Sequence, residues 1–119
     1  MNSGKLGDKG ELLTQKWYKK RGYKLLERNY RCRMGEIDLI VSQPGMLVFV
    51  EVKTRSAGSI AAPKEWVNIP KQRRIIAAAQ HYLAQAECEE TFIRFDVAEV
   101  MPDTFGRYAV QVIENAFTL

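Results

Sequence analysis

Polar and apolar positions change rhythm several times along the 119 residues, and each change marks an element. Across 5–21, Leu6, Gly10, Leu13 and Trp17 recur at helical spacing and predict one buried stripe of an amphipathic helix. Glu11 flanks that stripe, and Gly22 is a natural stop. Residues 23–32 lose the helical period and read as a strand with mixed faces. Residues 34–42 and 46–54 are rich in Ile, Leu, Val and Phe and read as two more strands. Leu47-Val48-Phe49-Val50 is apolar on both faces, which predicts a central strand covered on both sides. Small and turn-prone residues fill 55–69, a stretch expected to be a mobile loop. A second helix starts near Pro70 and runs to about Ala86, with Ile75, Ile76, Ala79, Tyr82, Leu83 and Ala86 on its apolar stripe. Lys71, Arg74, His81 and Gln85 share a separate polar face of it. Strands at 92–101 and 107–114, joined by a turn around Pro102, Asp103 and Gly106, complete an order α-β-β-β-α-β-β. That order predicts one α/β domain over 1–119, a mixed five-stranded sheet flanked by helices.

The candidate chemistry comes from the two central strands. Between them lies Pro44-Gly45, suited to a type II turn. A turn centred there pairs Gln43 with Met46, and counting outward sets Ser42 against Leu47, Ile40 against Phe49, Asp38 against Glu51 and Glu36 against Lys53. Side chains alternate with period two. Glu36, Asp38, Ile40, Phe49, Glu51 and Lys53 therefore share one face. Like charges directly opposed on a sheet destabilise it, so Asp38 against Glu51 calls for a cation. Mg²⁺ takes oxygen ligands and usually only one or two carboxylates. Asp38, Glu51 and the carbonyl of Val52 are the expected ligands, and Lys53 is placed to stabilise charge developing on a phosphoryl group. Glu11 is a candidate for holding a metal-bound water or a second ion. Glu36 either pairs with Lys53 or aids metal binding, and Gln80 is an accessory candidate. Each residue also has a plainer role available: a Glu-x-Lys triplet alone is usually an exposed ion pair, and His81 reads as a surface or boundary residue.

Charge adds a partner class. The net charge is +4, with a sequence pI near 9.2. Basic residues cluster at Lys19-Lys20-Arg21, at Arg28, Arg31 and Arg33, at Lys53 and Arg55, and at Lys71, Arg73 and Arg74. Nucleic acid is the expected partner if these clusters share a face with the acids. Arg31, Arg33, Arg55, Lys71 and Arg74 are the candidate contacts. Cations at a helix N-terminus oppose its dipole, which singles out Lys71, Arg73 and Arg74. No apolar run has the length of a membrane span, and no signal-peptide apolar region opens the chain. Cys32 and Cys88 lack metal-site spacing and read as free thiols of a reducing cytoplasm. The apolar tail 116–119 is expected to pack within the domain.

At these residues the chain resembles the PD-(D/E)xK nuclease superfamily. More narrowly, it resembles the YraN family of small bacterial proteins, related to archaeal Holliday-junction resolvases. The resemblance runs through Gly7-Asp8-Lys9-Gly10-Glu11, Gly22-Tyr23, Arg28-Asn29-Tyr30-Arg31, Gly35-Glu36-Ile37-Asp38-Leu39-Ile40 and Val48-Phe49-Val50-Glu51-Val52-Lys53-Thr54-Arg55. It continues through Arg94-Phe95-Asp96-Val97 and Asn115-Ala116-Phe117. It implies a restriction-endonuclease-like core and Mg²⁺- or Mn²⁺-dependent cleavage of DNA, with branched DNA as a candidate substrate. Asp38, Glu51 and Lys53 would be its catalytic trio and Glu11 its helix-borne acid. Ile37 stands where the superfamily's name has proline. Two readings compete with the nuclease: a catalytically silent nucleic-acid-binding module and a protein-interaction adaptor. A symmetric cut of two strands would call for a two-fold homodimer.

Overall fold

The computed structural model describes residues 3–56, 67–86 and 92–118, with side chains from Gly7 onward. The elements are α1 (Ser3–Lys20), β1 (Lys24–Cys32), β2 (Gly35–Gln43), β3 (Met46–Thr54), α2 (Ile69–Ala86), β4 (Phe92–Pro102) and β5 (Tyr108–Phe117). They follow the order expected from the sequence. The sheet runs β1-β2-β3-β4-β5; only the β3–β4 pair is parallel, and α2 lies in the connection between those two strands. The loop expected at 55–69 falls largely outside the described residues, as does Cys88.

One helix covers each face of the sheet. Ile40, Leu47, Phe49, Phe95 and Val97 pack against Ile75, Ala78 and Ala79 of α2. Leu39, Val41, Val48, Val50 and Val100 pack with Tyr18 of α1. This two-sided burial is why β3 is apolar on both faces. Asn68 caps α2: its Oδ1 accepts the Lys71 N–H at 3.0 Å. Phe117 stacks on Phe95, centroids 4.9 Å apart, so this residue of the tail packs within the domain, while Ala116 and Thr118 are exposed.

The buried stripe of α1 differs from expectation. Thr14 and Tyr18 are fully buried, while Leu13 and Trp17 only flank the core. Polar atoms kept Thr14 and Tyr18 out of the apolar pattern, yet both are satisfied inside. Thr14 Oγ1 donates to the Gly10 carbonyl at 2.8 Å, and Tyr18 Oη donates to Asp96 Oδ2 at 2.6 Å. Gly10 itself lies so close to β3 that a Cβ there would collide with the Thr54 side chain. That contact fixes the start of α1 against the C-terminal end of β3.

Asp96 is the polar centre of the frame. It is fully buried and receives Arg94 through two hydrogen bonds, Nε to Oδ1 at 2.8 Å and Nη2 to Oδ2 at 2.9 Å. The Asn115 N–H donates to Oδ1 at 3.0 Å, where the β4–β5 register shifts and Asn115 adopts φ 53°. One carboxylate thus ties α1, β4 and the end of β5 together. Removing one partner of a buried ion pair costs about 3–5 kcal/mol. Asp96→Asn is expected to lose stability on that scale in urea unfolding.

Candidate active site

The expected hairpin register is present from Gln43↔Met46 through Ser42↔Leu47 and Ile40↔Phe49. The ladder then ends at Leu39↔Val50, so Asp38–Glu51 and Glu36–Lys53 are not ladder pairs. Instead, Asp38 Oδ2 accepts the Val52 N–H at 2.8 Å. The opposed acids explain the change: two carboxylates in register repel, and the strands part where a side chain can take over a backbone donor. Strict alternation fails at the same place. Ile37 joins Ile40 in the cluster against α2, whereas Leu39 belongs to the cluster against α1.

Asp38 and Glu51 nevertheless stay together on the α2 side of the sheet. Both border a cleft of about 520 Å³ between the β1–β2 turn and the first turns of α2. The cleft is narrow-walled for a steric reason. A Cβ at Gly35 would come within 2.9 Å of the Arg74 carbonyl oxygen, so only glycine lets the turn lie this close to α2. Burial, reinforced by the Glu51 charge, pushes the Asp38 carboxyl up to about 7. Glu51 is 7% exposed, and its Oε1 is met by Lys71 Nζ at 3.0 Å.

Lys71 is the residue whose place sequence reasoning missed. It was expected as a contact for nucleic acid, and it is drawn into the acidic centre instead. The Lys53 amine is close enough that the two cations act on each other. Burial and Lys71 pull Lys53 down from its usual range. Burial also acts against Lys71, but the Lys53 amine and the Glu51 and Asp38 carboxylates outweigh it and raise it. The one available signal was a cation on the first turn of a helix, where the dipole disfavours it; its partner lies 20 positions away in sequence.

The other candidates divide. Glu11 borders the centre: burial and then the charge of Asp38 raise it, and Arg28 Nε lies 3.4 Å from its Oε1. Arg31, Arg33 and Arg74 line the cleft. Arg55 does not line it; its charge acts on Glu99 of β4. Glu36 reaches the rim, but its exposed carboxylate pairs with Arg31 at 3.1 Å and not with Lys53. Gln80 is exposed and lies nine residues along α2 from Lys71, roughly 13 Å away along the axis. The helix simply carries it away from the site. Lys19 and Lys20 end α1 at the opposite end of the sheet, so that basic cluster does not share the site. His81 is half-buried and shares a 2.7 Å hydrogen bond with Tyr30 Oη.

Glu99 was overlooked, although alternation through Phe95, Val97 and Glu99 predicts it on the face of Glu51 and Lys53. It is buried at 3% exposure, burial raises its pKa, and its Oε1 has no hydrogen-bond partner among the described residues. Among the described residues no three His, Cys, Asp or Glu side chains converge as a metal-ligand set. The converging set is a pair, Asp38 and Glu51. That number suits Mg²⁺, whose other positions are usually filled by water and phosphate oxygens. The Lys71 ammonium already stands against Glu51, one acid of the pair.

Residues 10–100 match the family described as "Uncharacterised protein family UPF0102". A UPF0102 protein of Symbiobacterium thermophilum is 44% identical over 115 residues, covering 97% of this chain and 98% of that protein. One of Caldanaerobacter subterraneus is 40% identical over 119 residues, covering 98% of each. A solved structure, Pyrococcus furiosus SfsA in complex with Ca²⁺, aligns at 10% identity with a TM-score of 0.34. It covers 86% of this chain and 59% of that one. Among the described residues no helix is long and apolar enough to cross a membrane.

The raised Asp38 carboxyl has a signed consequence. Between about pH 4 and pH 7 the folded protein holds a proton that the unfolded chain has released, so folding stability falls as pH rises through that window. In EDTA, Asp38→Asn is expected to match the parent near pH 4 and to melt several degrees higher at pH 8. About 1 kcal/mol shifts Tm by roughly 4–8 °C in a domain near this size. Equal melting temperatures at both pH values would refute the assignment.

Proposed function

The chain belongs to the uncharacterised protein family UPF0102, and from its acidic cleft we propose that it is a divalent-metal-dependent endonuclease acting on DNA. The observation that carries this reading is the Asp38–Glu51 pair, held at a splayed strand junction, drawing in an ammonium and rimmed by Arg31, Arg33 and Arg74. A rim of three guanidiniums suits a polyanionic backbone, and a hard cation on the acids is one means of activating phosphodiester hydrolysis.

In this reading Asp38, Glu51 and the Val52 carbonyl would hold Mg²⁺ or Mn²⁺. Such an ion would supply Lewis acidity at the phosphoryl group and lower the pKa of a water toward neutral. The Val52 N–H holds Asp38 in place through its hydrogen bond. Lys53, beside both acids, neutralises charge developing on the phosphoryl oxygens. Glu11 accepts a hydrogen bond from a water at the centre. Arg31, Arg33 and Arg74 take the flanking phosphates. Lys71, now paired with Glu51, would give up that contact to a bound cation and could then meet substrate. Branched DNA is the substrate class that the sequence resemblance adds.

Incubation with branched, nicked and linear DNA in Mg²⁺ or Mn²⁺ tests this. Asp38→Asn and Glu51→Gln are expected to abolish cleavage, and Lys53→Met to slow it about 10²–10³-fold. Cleavage surviving both acid substitutions would show that another nuclease is present. Binding with steep salt dependence and no cleavage under either metal would move the protein to the silent binding module. Lys71→Gln tests the ammonium's place separately: calorimetric Mn²⁺ titration is expected to show about tenfold tighter binding, because no internal cation has to be displaced. Weaker Mn²⁺ binding would make Lys71 a support for the ligands instead.

A further inference from the structure

The strand directions gather both hairpin tips at the cleft's end of the sheet. β1 and β2 meet at Cys32↔Gly35, beside the cleft, and β4 and β5 meet at Pro102↔Tyr108. Parallel pairing puts Thr54 beside Val100. The β4–β5 tip therefore projects roughly 10 Å beyond the level of Thr54, at ~3.3 Å per residue. Both tips carry an exposed apolar side chain near an arginine: Arg33 with Met34, and Phe105 with Arg107.

The β4–β5 tip is built to present its ring. Asp103 Oδ1 accepts the Phe105 and Arg107 N–H groups at 2.8 and 2.9 Å. The Asp103 N–H donates to the Arg107 carbonyl at 2.7 Å, and the Gly106 N–H to the Asp103 carbonyl at 3.0 Å. A turn this well satisfied is rigid, yet it leaves Phe105 80% exposed. The Arg107 guanidinium lies 5.7 Å from the ring centroid. Lys9, 4.6 Å from the Tyr108 ring, brings a second cation to the base of the tip. The Asp103 carboxylate, the one acid of the tip, is engaged by backbone donors and stands 3.8 Å from Arg107 Nε.

We propose that this tip is a second nucleic-acid contact, in which Phe105 stacks on an unpaired base of the strand whose backbone enters the acidic cleft, while Arg107 and Lys9 meet its phosphates. The proposal rests on the nuclease reading for its polyanion. A single ring set among Thr104, Gly106 and Arg107 offers a flat apolar face bordered by positive charge. Those are the features a nucleobase stacks on. A protein partner would need a contiguous apolar patch, and among the described residues the exposed large hydrophobics, Leu12, Met34, Ile69, Phe92 and Phe105, lie on different elements or turns.

Fluorescence anisotropy in EDTA separates binding from catalysis. The probes are one fluorescein-labelled DNA duplex with a single-stranded tail and the same duplex with blunt ends. Phe105→Ala is expected to weaken the tailed probe about tenfold, as loss of one base stack does. The blunt probe and the melting temperature should not change. Phe105→Trp should retain affinity, with its added fluorescence quenched by the tailed probe. Arg107→Gln should weaken both probes and reduce the salt slope by about 0.7–0.9. If the parent binds neither probe at low salt, the nucleic-acid reading fails and this inference with it. If the parent binds and Phe105→Ala binds both probes equally well, the inference alone is overturned.

Discussion

Repulsion between two carboxylates on adjacent strands organises the working end of this molecule. Asp38 and Glu51 are placed together by a register that burial of Ile40, Phe49, Leu39 and Val50 enforces from both faces. Slipping by one residue would turn every apolar side chain of β2 to the wrong face. The acids therefore cannot escape by sliding. The structure answers locally instead: the ladder opens, Asp38 takes the Val52 N–H, and α2 delivers an ammonium to Glu51. Each response consumes something ordinary, a ladder hydrogen bond in one case and a favourable helix dipole in the other.

Such a tense centre needs a stiff surround. Asp96 provides much of it by joining Tyr18, Arg94 and Asn115 around one buried charge. Arg94 extends the network to Tyr23 at 3.2 Å and to Glu114 at 3.7 Å. Close approaches do the rest. Gly10 lets α1 lie on Thr54, and Gly35 lets the β1–β2 turn lie on Arg74. Gly10 sets how closely the helix that carries Glu11 lies on β3, and Gly35 how closely the turn faces α2 across the cleft.

The periodic parts of the fold were legible in sequence. Element order, the Pro44-Gly45 turn and the register near it all follow from alternation and turn chemistry. The stripe of α1 was misread because Thr14 and Tyr18 are polar by type and satisfied only by tertiary contacts. The direct opposition of Asp38 and Glu51 was a correct inference about side and an incorrect one about pairing, since alternation carries no information about where a ladder breaks. Lys71 on Glu51 and the distance of Gln80 depend on how α2 docks, whereas Glu36 on Arg31 is a cross-strand pair of the β1–β2 hairpin, for which no register was drawn from the sequence. Nothing local encodes that docking.

The first turn of α2 has a consequence for motion. Its acids belong to a short-range hairpin, while the ammonium that quiets them arrives on a helix that packs from the other side of a crossover. Any transient lifting of that turn strips the carboxylates of their partner. Breathing of the helix end and exposure of the acids are therefore two readings of one equilibrium. Amide hydrogen exchange at 71–74 will slow or quicken as the acids change companions.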